Sequence, residues 1–393
     1  MKDDSQTQAS LWMATANTPS QSRLRESIRT DVCIVGAGIA GLTTAYLLGR
    51  EGRSVVVLDD GSSGGGMTGR STAHLSNAFD DRYSKIEQLH GAEASRLTAE
   101  SHTAAIKKIF EIVSSETIHC DFDWVDGFLF CAPEHSVAVL DDELAAAHRA
   151  GLTGVEKVAR APIKSFDTGP ALRFPRQAQF HPLKYLDGLV KAVLRDRNHV
   201  FGQTHATKID SGEQVRIETS HGPVVTSDVA VVTTNTPIND RIASYTRQTP
   251  YITYAIGVRI PKDSVTRALY WDTGNPYHYL RLQHDDVLIV GGEDQRSGHA
   301  NGGDERFARL EQWTREHFPE SLEVLYRWSG QVMEPVDGLA FIGRNALHDD
   351  NVFIATGDSG QGITHGTIAG MLLTDLIEAR KSEWEDLYSP LRI

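Results

Sequence analysis

Cysteine is scarce in this chain. Three occur among 393 residues, Cys33, Cys120 and Cys131, and no two are spaced Cys-x-x-Cys. An odd count without framework spacing excludes a disulfide scaffold, points to the reducing cytoplasm, and offers no zinc or iron–sulfur site. Basic charge is in deficit: 39 Lys and Arg stand against 52 Asp and Glu, a formal net charge of −13. Such a surface repels phosphate backbones and anionic lipid, which argues against nucleic-acid binding and membrane-surface attachment. No run approaches the roughly 20 apolar residues that cross a bilayer, so no membrane insertion is expected. The first 28 residues lack the apolar segment of an export signal. Rich in Ser, Thr, Gln and Asn, they read as a mobile or surface-wrapping arm.

What is present begins at Asp31. The apolar strand Asp31-Val-Cys-Ile-Val35 runs into Gly36-Ala-Gly38-Ile39-Ala40-Gly41, then into Leu42-Thr-Thr-Ala-Tyr-Leu-Leu48 with helical spacing. After the turn Gly49-Arg-Glu-Gly52, a second apolar strand, Ser54-Val-Val-Val-Leu58, ends in Asp59 and Asp60. Strand, GxGxxG, helix, strand and acid within about thirty residues form a dinucleotide-binding unit. Gly36 permits the tight turn, Gly38 lets a pyrophosphate approach the backbone, and Gly41 allows close helix–strand packing. The pyrophosphate then rests on a helix N-terminus, where free N–H groups and the dipole favour negative charge. Asp59, eighteen residues after Gly41, is placed to accept ribose hydroxyls.

Three later segments favour FAD over a nicotinamide. Gly64-Gly-Gly-Met-Thr-Gly-Arg70-Ser71-Thr72-Ala73-His74 lets backbone run beside a flat ring, with Arg70, Ser71 and Thr72 as donors. Val229-Ala-Val-Val-Thr-Thr234-Asn235-Thr-Pro237 is an apolar strand whose polar end suits a cofactor edge. Asn351 to Thr356 reads as a strand, followed by Gly357-Asp358-Ser-Gly360-Gln-Gly362-Ile363-Thr364-His365-Gly366 and a helix from Thr367 to Ile377. A second helix N-terminus is thereby aimed at the ligand, suited to the negative charge of a reduced flavin at N1 and O2.

On these segments, together with Val336-Asp337-Gly338-Leu-Ala-Phe-Ile-Gly343, the chain resembles the D-amino-acid oxidase/glycine oxidase/sarcosine oxidase superfamily of FAD-dependent oxidoreductases. Within it, Thr68 to Leu75, Trp271 to Tyr279 and Arg327 to Gln331 resemble a bacterial group often fused to a Rieske domain. No cysteine follows Cys131, so the expectation is a chain that never had that domain or has been cut before it. The resemblance implies an α/β fold: a glutathione-reductase-type, Rossmann-like FAD-binding domain interleaved with an α+β, mixed-sheet substrate domain that roofs the flavin. It places residues 29–85, 155–240 and 332–393 in the FAD-binding domain, 86–154 and 241–331 in the substrate domain, and 1–28 in the arm. It also puts the small residue Ala206 on the adenine side. The sequence is compatible, with a helix from Pro182, strands near His199 and Thr204, an amphipathic helix over 93–114, and strands at Gly127–Cys131 and near 251–260, 277–282 and 287–292.

Only one dinucleotide fingerprint is present, since Gly291-Gly292 and Gly302-Gly303 lack the helix and terminal acid. Electrons then come most simply from an organic substrate. The resemblance implies hydride transfer from the carbon beside an amine to flavin N5, giving an imine, with a small-molecule amine or amino acid as substrate. The alternative is a flavin electron-transfer module serving a Rieske or oxygenase partner. Period-two alternation puts Tyr277, Tyr279 and Arg281 on one strand face. Facing inward they offer hydroxyls and a guanidinium to a carboxylate; facing outward they are ordinary surface residues. Trp328 and Glu334 could line the same pocket, and His365 could approach the flavin. Ser71-Thr72-Ala73-His74 resembles the Ser-Thr-x-His of dimethylglycine-dehydrogenase-like members, in which that histidine is joined to the flavin, so His74 either attaches to FAD or packs against it. No lysine lies between Lys262 and Lys381, where sarcosine-oxidase-like members place one to assist oxygen. The acceptor, O2 or a redox protein, is left open, with a lean towards the latter.

Overall fold

A computed structural model describes residues 9–17, 19–236, 247–297, 303–345 and 351–392. Two sheets organise it. The first has the strand order β16-β17-β10-β1-β2-β7, built from β1 (Ile28–Val35), β2 (Val55–Leu58), β7 (His199–Phe201), β10 (Val224–Asn235), β16 (Phe341–Arg344) and β17 (Val352–Thr356). The pairs β1–β10, β1–β2, β2–β7 and β10–β17 are all parallel. β8 (Ala206–Asp210) and β9 (Val215–Thr219) extend it as an antiparallel flap on β10. Val32 to Val35 are buried without alternation, as expected of a strand covered on both faces.

Two helices cross this sheet side by side, α2 (Ile39–Arg50) after β1 and α7 (Gly362–Ile377) after β17. Glycine lets them touch. A Cβ on Gly366 would lie 2.5 Å from the Ile39 side chain, and one on Gly370 2.5 Å from the Thr43 side chain. The helix α5 (Pro182–Arg195) starts at its proline, with His181 as N-cap accepting from the Lys184 N–H.

The second sheet has the order β15-β11-β14-β13-β12-β4-β6-β3, with β5 on β6. Its strands are β3 (His74–Leu75), β4 (Asp123–Phe130), β5 (Glu156–Val158), β6 (Ala171–Gln179), β11 (Gln248–Arg259), β12 (Leu269–Asp272), β13 (His278–Gln283), β14 (Val287–Arg296) and β15 (Val324–Pro335). Only β4–β12 is parallel among its named pairs. Outside it lie α3 (Tyr83–Ser115, broken at Gly91, φ +86), α4 (Ala138–Arg149) and α6 (Gly303–His317), while α8 (Glu385–Tyr388) lies near the carboxy terminus. One buried apolar cluster includes Val32, Leu42, Leu186 and Leu372 beside the first sheet and Leu172, Ala255, Ile289 and Trp328 of the second, so the two sheets share a core.

Three boundaries differ from the sequence expectation. β6 pairs with β4 and β5 with β6, so the segment 155–179 joins the second sheet. β3 joins it too, although it follows the nucleotide-binding unit directly. The expected arm is corrected most: Leu11–Thr15 forms a short helix α1, and Leu11 and Trp12 are 3% and 0% exposed. Two apolar residues in a polar stretch were enough to anchor it. Residues 1–8, Pro237 and 241–246 lie outside the described residues.

Candidate active site

The carboxyl ends of β1, β10 and β17, the N-termini of α2 and α7, and the inner face of the second sheet enclose a cavity of about 570 Å³. Gly36 (φ +113) turns the chain where a Cβ would lie 2.8 Å from the Thr233 carbonyl oxygen. Gly41 is a packing residue away from the cavity wall: a Cβ there would lie 1.9 Å from the Gly36 carbonyl oxygen. Neither Gly38 nor Gln361, the N-caps of α2 and α7, supplies a side-chain cap. Both helix ends therefore present first-turn N–H groups and positive dipole ends for an anionic ligand. Gly36, Gly38, Ile39 and Ala40 line one wall, and Gly357, Asp358, Gly360, Gly362, Ile363 and Thr364 line another. The helix α7 starts at Gly362, five residues before the sequence expectation, so His365 and Gly366 lie within its first turns.

At the end of β2, Asp59 Oδ2 accepts from the Ala37 N–H at 2.7 Å and Oδ1 from the Gly61 N–H at 2.9 Å. A carboxylate has about four lone-pair sites, so two are left for ribose hydroxyls. Asp60, Ala206, Thr234 and Asn235 line the cavity with it.

The glycine-rich segment is held from both sides. On one, Ser10 Oγ donates to the Gly69 carbonyl (2.5 Å) and Trp12 Nε1 to the Ser71 carbonyl (2.6 Å). On the other, Trp328 Nε1 donates to the Arg70 carbonyl (2.9 Å) and Arg70 to the Ser329 carbonyl (3.2 Å). Trp328 thus lines the cavity with its ring while its polar atom positions the segment. Thr68 Oγ1 accepts from the Ile39 N–H (3.1 Å) and ties the segment to α2. Arg70, Ser71, Thr72 and His74 reach the cavity; Ala73 is fully buried behind it. His74 Nδ1 meets Thr72 Oγ1 at 3.1 Å, and burial pulls the imidazole down to about 3, keeping it neutral.

On the roof, Tyr277 and Tyr279 face the cavity with ring centroids 5.4 Å apart. Tyr279 shares a hydrogen bond with Thr253 (2.9 Å). Arg281 is corrected. It is 0% exposed and outside the cavity lining, with its guanidinium donating to the carbonyls of Ala73 (3.0 Å) and Phe180 (3.2 Å) and to Gln283, over the Trp12 ring. The strand carries it past the cavity to the place where the arm docks. It has no carboxylate partner among the described residues, and burial lowers it to about 9.

His365 lines the cavity and bonds through Nδ1 to the Asp358 carbonyl (2.8 Å), and burial lowers it to about 4. Glu334 lies off the lining, accepts from Ser359 (2.8 Å), and is pushed up to about 8 by burial. The structure adds acids that sequence reasoning missed. Asp80 and Asp294 line the cavity and are raised to about 7 and about 6, chiefly by burial. Asp80 sits in no motif. Asp294 carries a faint signal, following Gly291-Gly292 just beyond the strand expected near 287–292.

The cavity fits FAD. Two helix ends with first-turn N–H groups facing the cavity, a glycine turn with no room for a Cβ and an acid at the ribose position are what a dinucleotide requires. The family model described as FAD dependent oxidoreductase (DAO) matches residues 31–376. The Rieske 2Fe-2S iron-sulfur protein YhfW of Bacillus subtilis is 28% identical over 97% of this chain and 75% of its own length. The gamma-glutamylputrescine oxidoreductase of Escherichia coli is 26% identical over 94% of this chain and 88% of its own. Glycine oxidase from Geobacillus kaustophilus superposes with a TM-score of 0.79 at 17% identity, over 93% of this chain and 99% of that one, which shows the shared fold. The chain belongs to the DAO family of FAD-dependent oxidoreductases: it is an enzyme, and FAD is its cofactor.

Proposed function

We propose that the enzyme oxidises the carbon beside the nitrogen of a small-molecule amine. The observation that carries this reading is that the FAD-holding loops and the roof residues Thr253, Tyr277 and Tyr279 open onto one cavity. A relative named as a gamma-glutamylputrescine oxidoreductase supports it. Bound FAD would supply a two-electron acceptor for the hydride of the substrate C–H bond, the nitrogen lone pair closing C=N as an iminium that loses its N–H proton to give the imine.

The chain's own part is to place and to discharge. Gly36, Gly38, Ile39 and Ala40 would hold the pyrophosphate, and Asp59 with Asp60 would face the ribose. Ala206 would lie on the adenine side, with Thr234 and Asn235 at the sheet edge. Arg70, Ser71, Thr72 and His74 would run beside the flavin ring, and Gly357 to Thr364 would offer it the positive end of α7, suited to the charge that develops on reduction. Tyr277 and Tyr279 orient the amine, whose reacting nitrogen gives up its ammonium proton before its lone pair is free. His74 is bonded at both ring nitrogens, to Thr72 and, at 3.4 Å, to the Leu280 carbonyl, which supports non-covalent contact; acid precipitation should leave the yellow colour in the supernatant.

Anaerobic mixing of FAD-loaded enzyme with amines and amino acids tests the reading: bleaching of the flavin band supports it. The likeness to a Rieske protein favours a second reading, a relay without an amine site, under which only a reduced protein partner bleaches the flavin. Slow reoxidation by air after bleaching would assign the electrons to a redox protein in the cytoplasm, and fast reoxidation to O2.

A further inference from the structure

Five acids line the cavity, Asp59, Asp60, Asp80, Asp294 and Asp358, against one Lys or Arg, Arg70, among the described residues. Asp59 and Asp358 each accept from backbone N–H groups. Asp294 is different: its Oδ1 is buried with no hydrogen-bond partner. The reason lies in the strand. The register of β11 against β14 shifts between Ile252 and Tyr254, and Glu293 opposite has φ +59. This bulge separates two neighbouring acids. Glu293 meets Arg306 (3.2 Å) and Arg309 (2.7 Å) on α6, whereas Asp294 enters the cavity beside Thr253, without an ion-pair partner among the described residues.

Asp80 stands on the same side. A Cβ on Gly360 would lie 2.6 Å from Asp80 Oδ2 and 4.0 Å from the Tyr277 hydroxyl. Burial first, and after it the negative charges of Asp80 and Asp294, raises the Tyr277 and Tyr279 phenols, so both acids act on these two rings. Trp271, cross-strand neighbour of Tyr279, adds a third aromatic wall to the cavity. Carboxylates among aromatic faces attract an organic cation and repel a carboxylate. The cationic side chain that the sequence offered to a substrate carboxylate, Arg281, is instead engaged by the Ala73 and Phe180 carbonyls.

Resting on the amine-oxidation reading, we infer that Asp80 and Asp294, walled by Trp271, Tyr277 and Tyr279, hold a substrate ammonium group, and that the substrate is an aliphatic diamine or polyamine without a carboxylate on the reacting carbon. One nitrogen is held as the cation. The other is the reacting amine, whose neighbouring carbon gives up hydride while that nitrogen becomes an iminium and then, on losing a proton, the imine.

The test is anaerobic flavin reduction in the FAD-loaded enzyme by putrescine, butylamine, γ-aminobutyrate and proline, which vary the charge carried beside or beyond the amine. Putrescine should show a KM about tenfold or more below butylamine, equivalent to ~1.4 kcal/mol, with γ-aminobutyrate and proline poorer than both. Asp294→Asn and, separately, Asp80→Asn should bring the putrescine-to-butylamine KM ratio towards one, with FAD content confirming that each variant folds. If neither variant folds, competition by tetramethylammonium in the wild type decides: inhibition against putrescine supports the cation site and its absence overturns it. Preference for proline or γ-aminobutyrate, or a ratio untouched by either substitution, overturns the inference and leaves amine oxidation standing. Reduction by dithionite but by none of the four compounds overturns both.

Discussion

Replacing Trp12 by alanine probes a segment that composition assigns to the periphery. The ring is fully buried, packs edge-on against His181 with centroids 4.9 Å apart, and lies under the Arg281 guanidinium at 5.1 Å. Its Nε1 also satisfies the Ser71 carbonyl. Truncating a buried Trp costs about 3–5 kcal/mol. Unfolding entropy of ~2.1 cal/mol/K per residue, over the 393 residues, gives about 0.8 kcal/mol/K, so the melting temperature should fall by about 4–6 °C. Trp12→Phe keeps most of the volume and orphans only the carbonyl, worth about 1–3 kcal/mol, or about 1–4 °C. Because Trp12 both holds the Ser71 carbonyl and packs its ring beneath that segment, both variants should bind FAD more weakly than wild type, Trp12→Ala the more so for losing the ring as well. Scanning calorimetry with flavin titration reads both effects. Two variants melting within about 1 °C of wild type, with unchanged FAD affinity, would refute the docked-segment reasoning.

Gly41→Ala should yield no holo-protein, since its Cβ meets the Gly36 carbonyl at 1.9 Å, whereas Gly38→Ala, facing only Thr68 Oγ1 at 3.2 Å, should fold and hold FAD weakly; the ratio of flavin to protein absorbance separates them. Arg281→Met should change amine KM less than about twofold, because the guanidinium lies outside the cavity; a loss of about a hundredfold confined to carboxylate-bearing substrates would return Arg281 to substrate binding. Glu334, raised from 4.5 to about 8, contributes stability that is present below its unfolded value and lost as pH rises towards about 8, because the folded state binds the extra proton. Glu334→Gln should therefore gain on wild type by about 1–4 °C between pH ~5 and ~8, and parallel melting curves across that range would refute the assignment.

The nucleotide-binding half was legible because its determinants are local. A glycine turn, a helix start and a strand-end acid sit within one βαβ unit, and Gly36, Gly38 and Asp59 have no freedom to lie elsewhere. The same holds for Gly357 to Thr364, where strand, turn and helix follow one another in the chain. The period-two rule placed Tyr277 and Tyr279 together but failed for Arg281, since sharing a strand face does not say how far along it the cavity extends. Asp80 and Asp294 were invisible for a related reason. One lies on an irregular segment and the other beyond a bulge, and only the pairing of β11 with β14 decides which of two adjacent acids turns inward. Trp12 reached the flavin-side segment across 59 residues of chain, a contact that no local pattern encodes. The sequence by itself determined the dinucleotide site, whose chemistry is written in consecutive residues. Tertiary structure decided the charge of the substrate end, because that charge is the sum of side chains brought together from separate strands and of the partners each one finds or lacks.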